Sequence, residues 1–208
     1  VSARFLALGD SYTIGEGVGL NERWPMQLAA RLRDGGIDID ELQIIARTGW
    51  TTDELSGAMD AAQFEPPYAL VTLLIGVNNQ YRERALDEYR KQFRGLLNRA
   101  VALAGGEPGH AIAISIPDWG VTPFARGEGR DAQAVAAQID AFNAIAQTEA
   151  AARGAHWVDV TGISRDPQIR SLLVADGLHP SGAQYSRWVD AIAPVAAEIL
   201  RRQNATRA

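Results

Sequence analysis

Val71-Thr72-Leu73-Leu74-Ile75 carries one polar residue and runs straight into Gly76-Val77-Asn78-Asn79. A nearly continuous apolar run that is short and closed by a glycine reads as a strand covered on both faces, the kind found in parallel sheets between helices. Outward from it the pattern recurs. Phe5-Leu6-Ala7-Leu8 stops at Gly9-Asp10 and precedes a periodic segment from about Arg23 to Arg33. Leu42 to Ala46 precedes Thr51 to Ala62, and Ala69 to Ile75 precedes Leu86 to Ala104. Ala111 to Ile116 precedes Ala132 to Arg153, and Trp157 to Val160 precedes a last helix from Ser181 to about Arg202. Five strands separated by helices predict parallel pairing and a three-layer α/β/α sandwich. Pro66-Pro67, Gly105-Gly106, Pro117 and Gly154 punctuate the joints, but no segment is long enough for an interdomain linker. One domain over residues 1–208 is therefore expected.

Composition removes several functional classes. With 20 Lys+Arg against 25 Asp+Glu the net charge is −5, and no run of like charge suggests a nucleic acid partner. Arg201 and Arg202 read as the cationic end of a helix. The chain has no cysteine, which excludes disulfides, thiolate chemistry and cysteine-ligated metal. No stretch approaches the roughly 18 apolar residues of a membrane span, so stable membrane insertion is not expected. No signal peptide precedes the first strand, which favours the cytoplasm, while removal of a segment ahead of Val1 would leave the periplasm or secretion open. Monomer is the default expectation.

In an open parallel sheet, ligands bind at the carboxyl ends of the strands, where loops converge and helix N-termini point inward. A polar residue just after a strand is then a site candidate, and one just before a strand is on the wrong edge. The favoured edge collects Gly9-Asp10-Ser11, Arg47-Thr48-Gly49-Trp50, Gly76-Val77-Asn78-Asn79, Asp118-Trp119 and Asp176-Gly177-Leu178-His179-Pro180. Acyl transfer needs a nucleophile, a base, a group that orients the base, and donors for the developing oxyanion. Ser11 at a strand-to-helix turn can offer its hydroxyl. His179 is the candidate base, and Asp176 three residues earlier can hold its imidazole in one tautomer. Gly49 allows close backbone approach, and Asn78 supplies a side-chain amide donor. Taken singly, each has a plainer reading as strand terminator, turn glycine or helix cap, and the joint placement is what points to catalysis. Glu107-Pro108-Gly109-His110 repeats the acid-to-histidine spacing, but His110 enters the fourth strand and His156 opens the fifth, so both fail the edge test.

At these residues the chain resembles the GDSL-type, or SGNH, hydrolase superfamily, whose four named positions are a Ser, a Gly, an Asn and a His on separate blocks. Ser11 stands in Gly9-Asp10-Ser11-Tyr12, Gly49 follows the second strand, Asn78 stands in Gly76-Val77-Asn78-Asn79, and His179 in Asp176-Gly177-Leu178-His179-Pro180. The blocks run from Ser11 to Pro180. The resemblance implies a flavodoxin-like sheet of five parallel strands in the order 2-1-3-4-5, and esterase or acylhydrolase activity without a cofactor. Tyr12 replaces the Leu of the tetrad. Asn79 replaces the Asp that usually follows the oxyanion Asn, which opens the choice between Asn78 and Asn79 as the donor facing the cleft; motif register selects Asn78.

The expected function is cleavage of small or medium acyl esters through an acyl-enzyme on Ser11, with Asp176 and His179 as the acid–base pair and Ser11, Gly49 and Asn78 as the oxyanion hole. Asn79, Trp50, Tyr81 and Trp119, with Phe124 nearby, are expected to line the substrate cleft. A carbohydrate acetylesterase, lysophospholipase or thioesterase would use the same residues. A metal site built on Asp10, Asp118, Asp176 and His179 lacks a compact ligand motif, so no metal is expected. A flavodoxin-like module cradling a phosphate on Ser11-Tyr12-Thr13-Ile14-Gly15 leaves the Asp176/His179 loop unexplained, and a catalytically dead carbohydrate-binding relative would have no need of an intact triad. Gly15-Glu16-Gly17-Val18-Gly19 is not the dinucleotide fingerprint.

Overall fold

The computed structural model describes residues 3–207. The apolar runs become β1 (Ala3–Gly9), β2 (Ile39–Ala46), β3 (Leu70–Leu74), β4 (Ala111–Ile114) and β5 (His156–Val158). All pair in parallel, in the order β2-β1-β3-β4-β5. Phe5, Leu6, Ala7 and Leu8 of β1 and every residue of β3 are buried, so neither strand alternates between inside and outside. The reason is cover on both faces. Helix α1 (Ser11–Ile14) is a single turn; α2 (Trp24–Asp34) packs against α9 (Gly182–Arg207), and α3 (Thr52–Ala61) and α7 (Ala132–Arg153) pack against α5 (Leu86–Leu103). Right-handed crossovers put the first pair on one face and the trio on the other. Trp24, Tyr185 and Trp188 fill one helix layer, Tyr89 and Phe93 the other.

The helix starts follow local chemistry. Asp131 caps α7 by accepting the N–H groups of Gln133 and Ala134, and Thr51 and Glu54 form a capping box at α3. Strand ends shift from expectation: β2 begins at Ile39 rather than Leu42, β3 covers Leu70–Leu74 rather than Ala69–Ile75, and at the site edge β4 stops at Ile114 rather than Ile116 and β5 covers His156–Val158 rather than running to Val160. Side chains there take over the backbone groups. Ser115 Oγ accepts the N–H of Val160 at 2.7 Å, and Asn143 of α7 brackets Ile116, accepting its N–H at 2.8 Å and donating to its carbonyl at 3.0 Å. The short helices α4 (Val77–Tyr81), α6 (Pro123–Gly127) and α8 (Thr161–Arg165) carry too few residues for a periodic signal. His110 and His156 lie at the amino ends of β4 and β5, opposite the edge from which Ser11 emerges. Among the described residues no helix is long and apolar enough to cross a membrane.

Candidate active site

After Gly9 closes β1, Asp10 turns the chain into α1. Its Oδ1 accepts the Tyr12 N–H at 3.0 Å, and its carbonyl accepts from Thr13 and Ile14 at 3.1 and 2.9 Å. Ser11 is thereby fixed as the first residue of the turn. Asp10 itself is fully buried, and its Oδ2 has no hydrogen-bond partner among the described residues. Burial pushes its carboxyl up to about 7, against the opposing pull of the Tyr12 N–H and its own N–H.

The next two loops owe their shape to glycines. Gly49 has φ +88°, a left-handed conformation that turns its carbonyl to the Arg82 guanidinium at 2.8 Å. Gly76 has φ +132°, and a Cβ there would lie 2.6 Å from the Tyr89 ring, so only glycine lets β3 turn into α4 at this point. The two asparagines of α4 then diverge. Asn78 is half-buried and donates from Nδ2 to the Trp50 carbonyl at 2.9 Å. Asn79 is fully buried; its Oδ1 accepts the Thr52 N–H at 3.0 Å and its Nδ2 donates to Thr52 Oγ1 at 2.7 Å. Asn79 therefore ties the loop after β3 to the start of α3.

On the loop before α9, Asp176 Oδ2 lies 2.6 Å from His179 Nδ1, and its Oδ1 accepts the backbone N–H groups of Leu178 and His179 at 2.8 and 2.9 Å. Burial alone would raise this carboxyl, but the hydrogen bonds from the His179 ring and the two backbone amides outweigh it and hold Asp176 below the usual carboxylate range. An ionised carboxylate only accepts, so in the neutral imidazole the proton sits on Nδ1 and Nε2 carries a lone pair. The Tyr12 ring packs 5.8 Å from the imidazole, centroid to centroid.

Ser11, Gly49, Asn78 and His179 line one cavity of about 230 Å³, together with Tyr81, Trp119 and Phe124. Tyr12, Thr48, Val77 and Leu178 complete its surface. Val77 and Leu178 were not foreseen, although each directly precedes an expected site residue. Thr48 is steadied at the mouth by a hydrogen bond to Glu16. Two expected lining residues stand elsewhere: Asn79 is turned into the core by its bonds to Thr52, and Trp50 packs against the hydrophobic core while its carbonyl holds Asn78. Asp118 is likewise engaged, its Oδ1 accepting the Gly120 N–H and its Oδ2 pairing with Arg165 at 2.8 Å. Among the described residues no three His, Asp or Glu side chains converge as a metal site.

Several solved structures share this architecture. TesA is 21% identical over 94% of this chain and 99% of that chain, with a TM-score of 0.72. A lipase/acylhydrolase from Enterococcus faecalis is 20% identical over 96% of both chains, with a TM-score of 0.72. Axe2, an acetyl xylan esterase from Geobacillus stearothermophilus, is 18% identical over 93% of this chain and 94% of that chain, also at 0.72. These likenesses establish a common fold. A search of curated proteins finds no match. The model of the GDSL-like lipase/acylhydrolase family matches residues 7–187, a span that holds all the cavity residues. The chain thus belongs to the GDSL-like lipase/acylhydrolase family and is, by that membership, an ester-cleaving hydrolase.

Proposed function

We propose that the chain is a serine hydrolase that cleaves carboxylic esters of small or medium acyl chains through an acyl-enzyme on Ser11, using neither metal nor organic cofactor. The observation that carries this reading is the Asp176–His179 pair, 2.6 Å apart, with His179 on the same cavity as Ser11. The Ser11 Oγ forms a bond to the ester carbonyl carbon, and its proton moves to His179 Nε2. The carbonyl electron pair moves onto oxygen, where the N–H groups of Ser11 and Gly49 and the Asn78 amide receive it. Collapse of the tetrahedral intermediate breaks the bond to the alcohol oxygen, which takes the proton back from Nε2. Water then repeats the sequence on the acyl-enzyme, with Asp176 stabilising the imidazolium each time.

The test is initial hydrolysis of p-nitrophenyl esters from acetyl to palmitoyl by wild type and a folded Ser11→Ala variant in metal-chelated buffer. Rapid hydrolysis that disappears in Ser11→Ala supports the reading. Equal rates in the two proteins remove Ser11 as nucleophile.

A further inference from the structure

One side of the cavity is an aromatic wall whose construction bears on substrate choice. Tyr81 follows Asn78 by three residues on α4, so the two share a helix face one turn apart. The Trp119 ring meets Tyr81 edge to face at 5.4 Å, and Phe124 lies 6.3 Å from Trp119. Trp119 is only 3% exposed, and its Nε1–H donates to Gln80 Oε1 at 2.8 Å. Gln80 in turn donates to Gln138 of α7 at 2.6 Å. The exposed Arg130 guanidinium stands 5.3 Å from the Tyr81 ring centroid and 5.9 Å from that of Trp119. The turn bearing Trp119 is anchored by the Asp118–Arg165 pair. Swinging this wall aside would break a buried N–H hydrogen bond and unstack a cation from two rings.

We propose that this wall restricts the enzyme to short acyl groups, and that Trp119 is the residue that sets the limit. The inference rests on Ser11 being the nucleophile. His179 returns its proton to the departing alcohol oxygen, so the alcohol leaves on the histidine side. The acyl chain then extends from the carbonyl past Asn78 towards Tyr81 and Trp119. Counting about 30 Å³ for each non-hydrogen group, the 230 Å³ cavity accommodates roughly seven or eight groups. The ester carbon and its two oxygens take three of them, which leaves roughly four or five chain carbons, an acyl group of about five or six carbons with the carbonyl carbon included. Up to that length each methylene should raise kcat/KM about fourfold through burial, and beyond it the chain meets Trp119.

The test is kcat/KM on p-nitrophenyl esters from acetyl to dodecanoyl for wild type, Trp119→Ala and Tyr81→Ala, with Ser11→Ala as the blank. Tyr81 is 39% exposed, so its truncation keeps the experiment interpretable if the buried Trp119→Ala does not fold. Wild type should peak near pentanoyl to hexanoyl and fall at least tenfold by decanoyl. Trp119→Ala should move the peak by four or more carbons, and Tyr81→Ala by about two. A wild-type optimum at decanoyl or longer, or an unchanged profile in the folded variants, overturns the proposal. Equal activity of Ser11→Ala, or no hydrolysis by wild type, counts against the nucleophile. In that case calorimetric binding of hexanoate and decanoate to wild type judges the wall separately. Preference for hexanoate supports it; equal or tighter decanoate binding, or binding of neither, overturns it.

Discussion

The adjacent asparagines of α4 provide a sharp test because their surroundings differ and the proposed mechanism gives a catalytic duty to Asn78 alone. Asn78→Ala removes an amide from the cavity and one hydrogen bond to the Trp50 carbonyl. Loss of one oxyanion donor typically costs about 10²–10³ in turnover, or about 3–4 kcal/mol of transition-state stabilisation, whereas one half-buried hydrogen bond is worth about 1 kcal/mol of fold stability. Asn79→Ala strands the buried Thr52 N–H; the Thr52 hydroxyl keeps its bond to Gln92. An unpaired buried donor costs about 1–3 kcal/mol, and at about 2–4 °C per kcal/mol for a chain of this size Tm should drop by roughly 2–12 °C. The assay is kcat and KM on p-nitrophenyl butyrate at 25 °C beside thermal unfolding of each variant. Asn78→Ala should lose turnover and keep most of its Tm; Asn79→Ala should lose Tm and keep turnover to within about tenfold. The reverse, a folded Asn79→Ala that has lost a hundredfold in kcat beside a near wild-type Asn78→Ala, refutes the division of labour.

Asp10→Asn keeps the cap on the Tyr12 N–H but removes a carboxyl whose pKa rises from 3.8 unfolded to about 7 folded. A raised carboxyl pKa costs the folded state stability as pH climbs through that window, by about 1.4 kcal/mol per unit and so up to about 4 kcal/mol above it. The variant should melt higher than wild type at pH 8 and equally at pH 4, and a Tm difference independent of pH contradicts the assignment. Asp176→Asn should lower kcat by about 10²–10⁴ with little change in KM, because the wrong imidazole tautomer then faces Ser11; steady-state kinetics at pH 8 decide, and a kcat within threefold of wild type argues against the pair. Arg165→Ala leaves the buried Asp118 carboxylate without its cation and should cost roughly 2–4 kcal/mol, read as a fall in Tm, while an unchanged Tm shows that the pair contributes nothing to the loop before α6.

Much of this architecture was legible because backbone periodicity survives in sequence. Val71 to Ile75 announces a doubly covered strand, and the edge rule separates His179 from His110 and His156 without any coordinates. The acid-to-histidine spacing at Asp176 likewise anticipates a hydrogen bond that the structure contains. What the sequence could not convey are contacts between side chains far apart in the chain. Asn79 meets Thr52 across 27 residues, and Arg165 meets Asp118 across 47, and no local pattern encodes either. The same holds for Asn143, which ends β4 early by taking both backbone groups of Ile116. Trp50 and Trp119 look equivalent as loop aromatics and both pack on the core, yet only Trp119 also walls the cavity. Their difference is decided by how neighbouring loops close over the sheet, which is a property of packing rather than of pattern.

The most direct test of the account is covalent trapping with an alkyl fluorophosphonate, read by intact mass and peptide mapping. A serine mechanism gives one adduct per chain, located on Ser11, formed slowly or not at all in His179→Ala and absent in Ser11→Ala. An adduct on another residue, or continued ester hydrolysis by protein that takes up no phosphonate, would contradict a serine mechanism at this site.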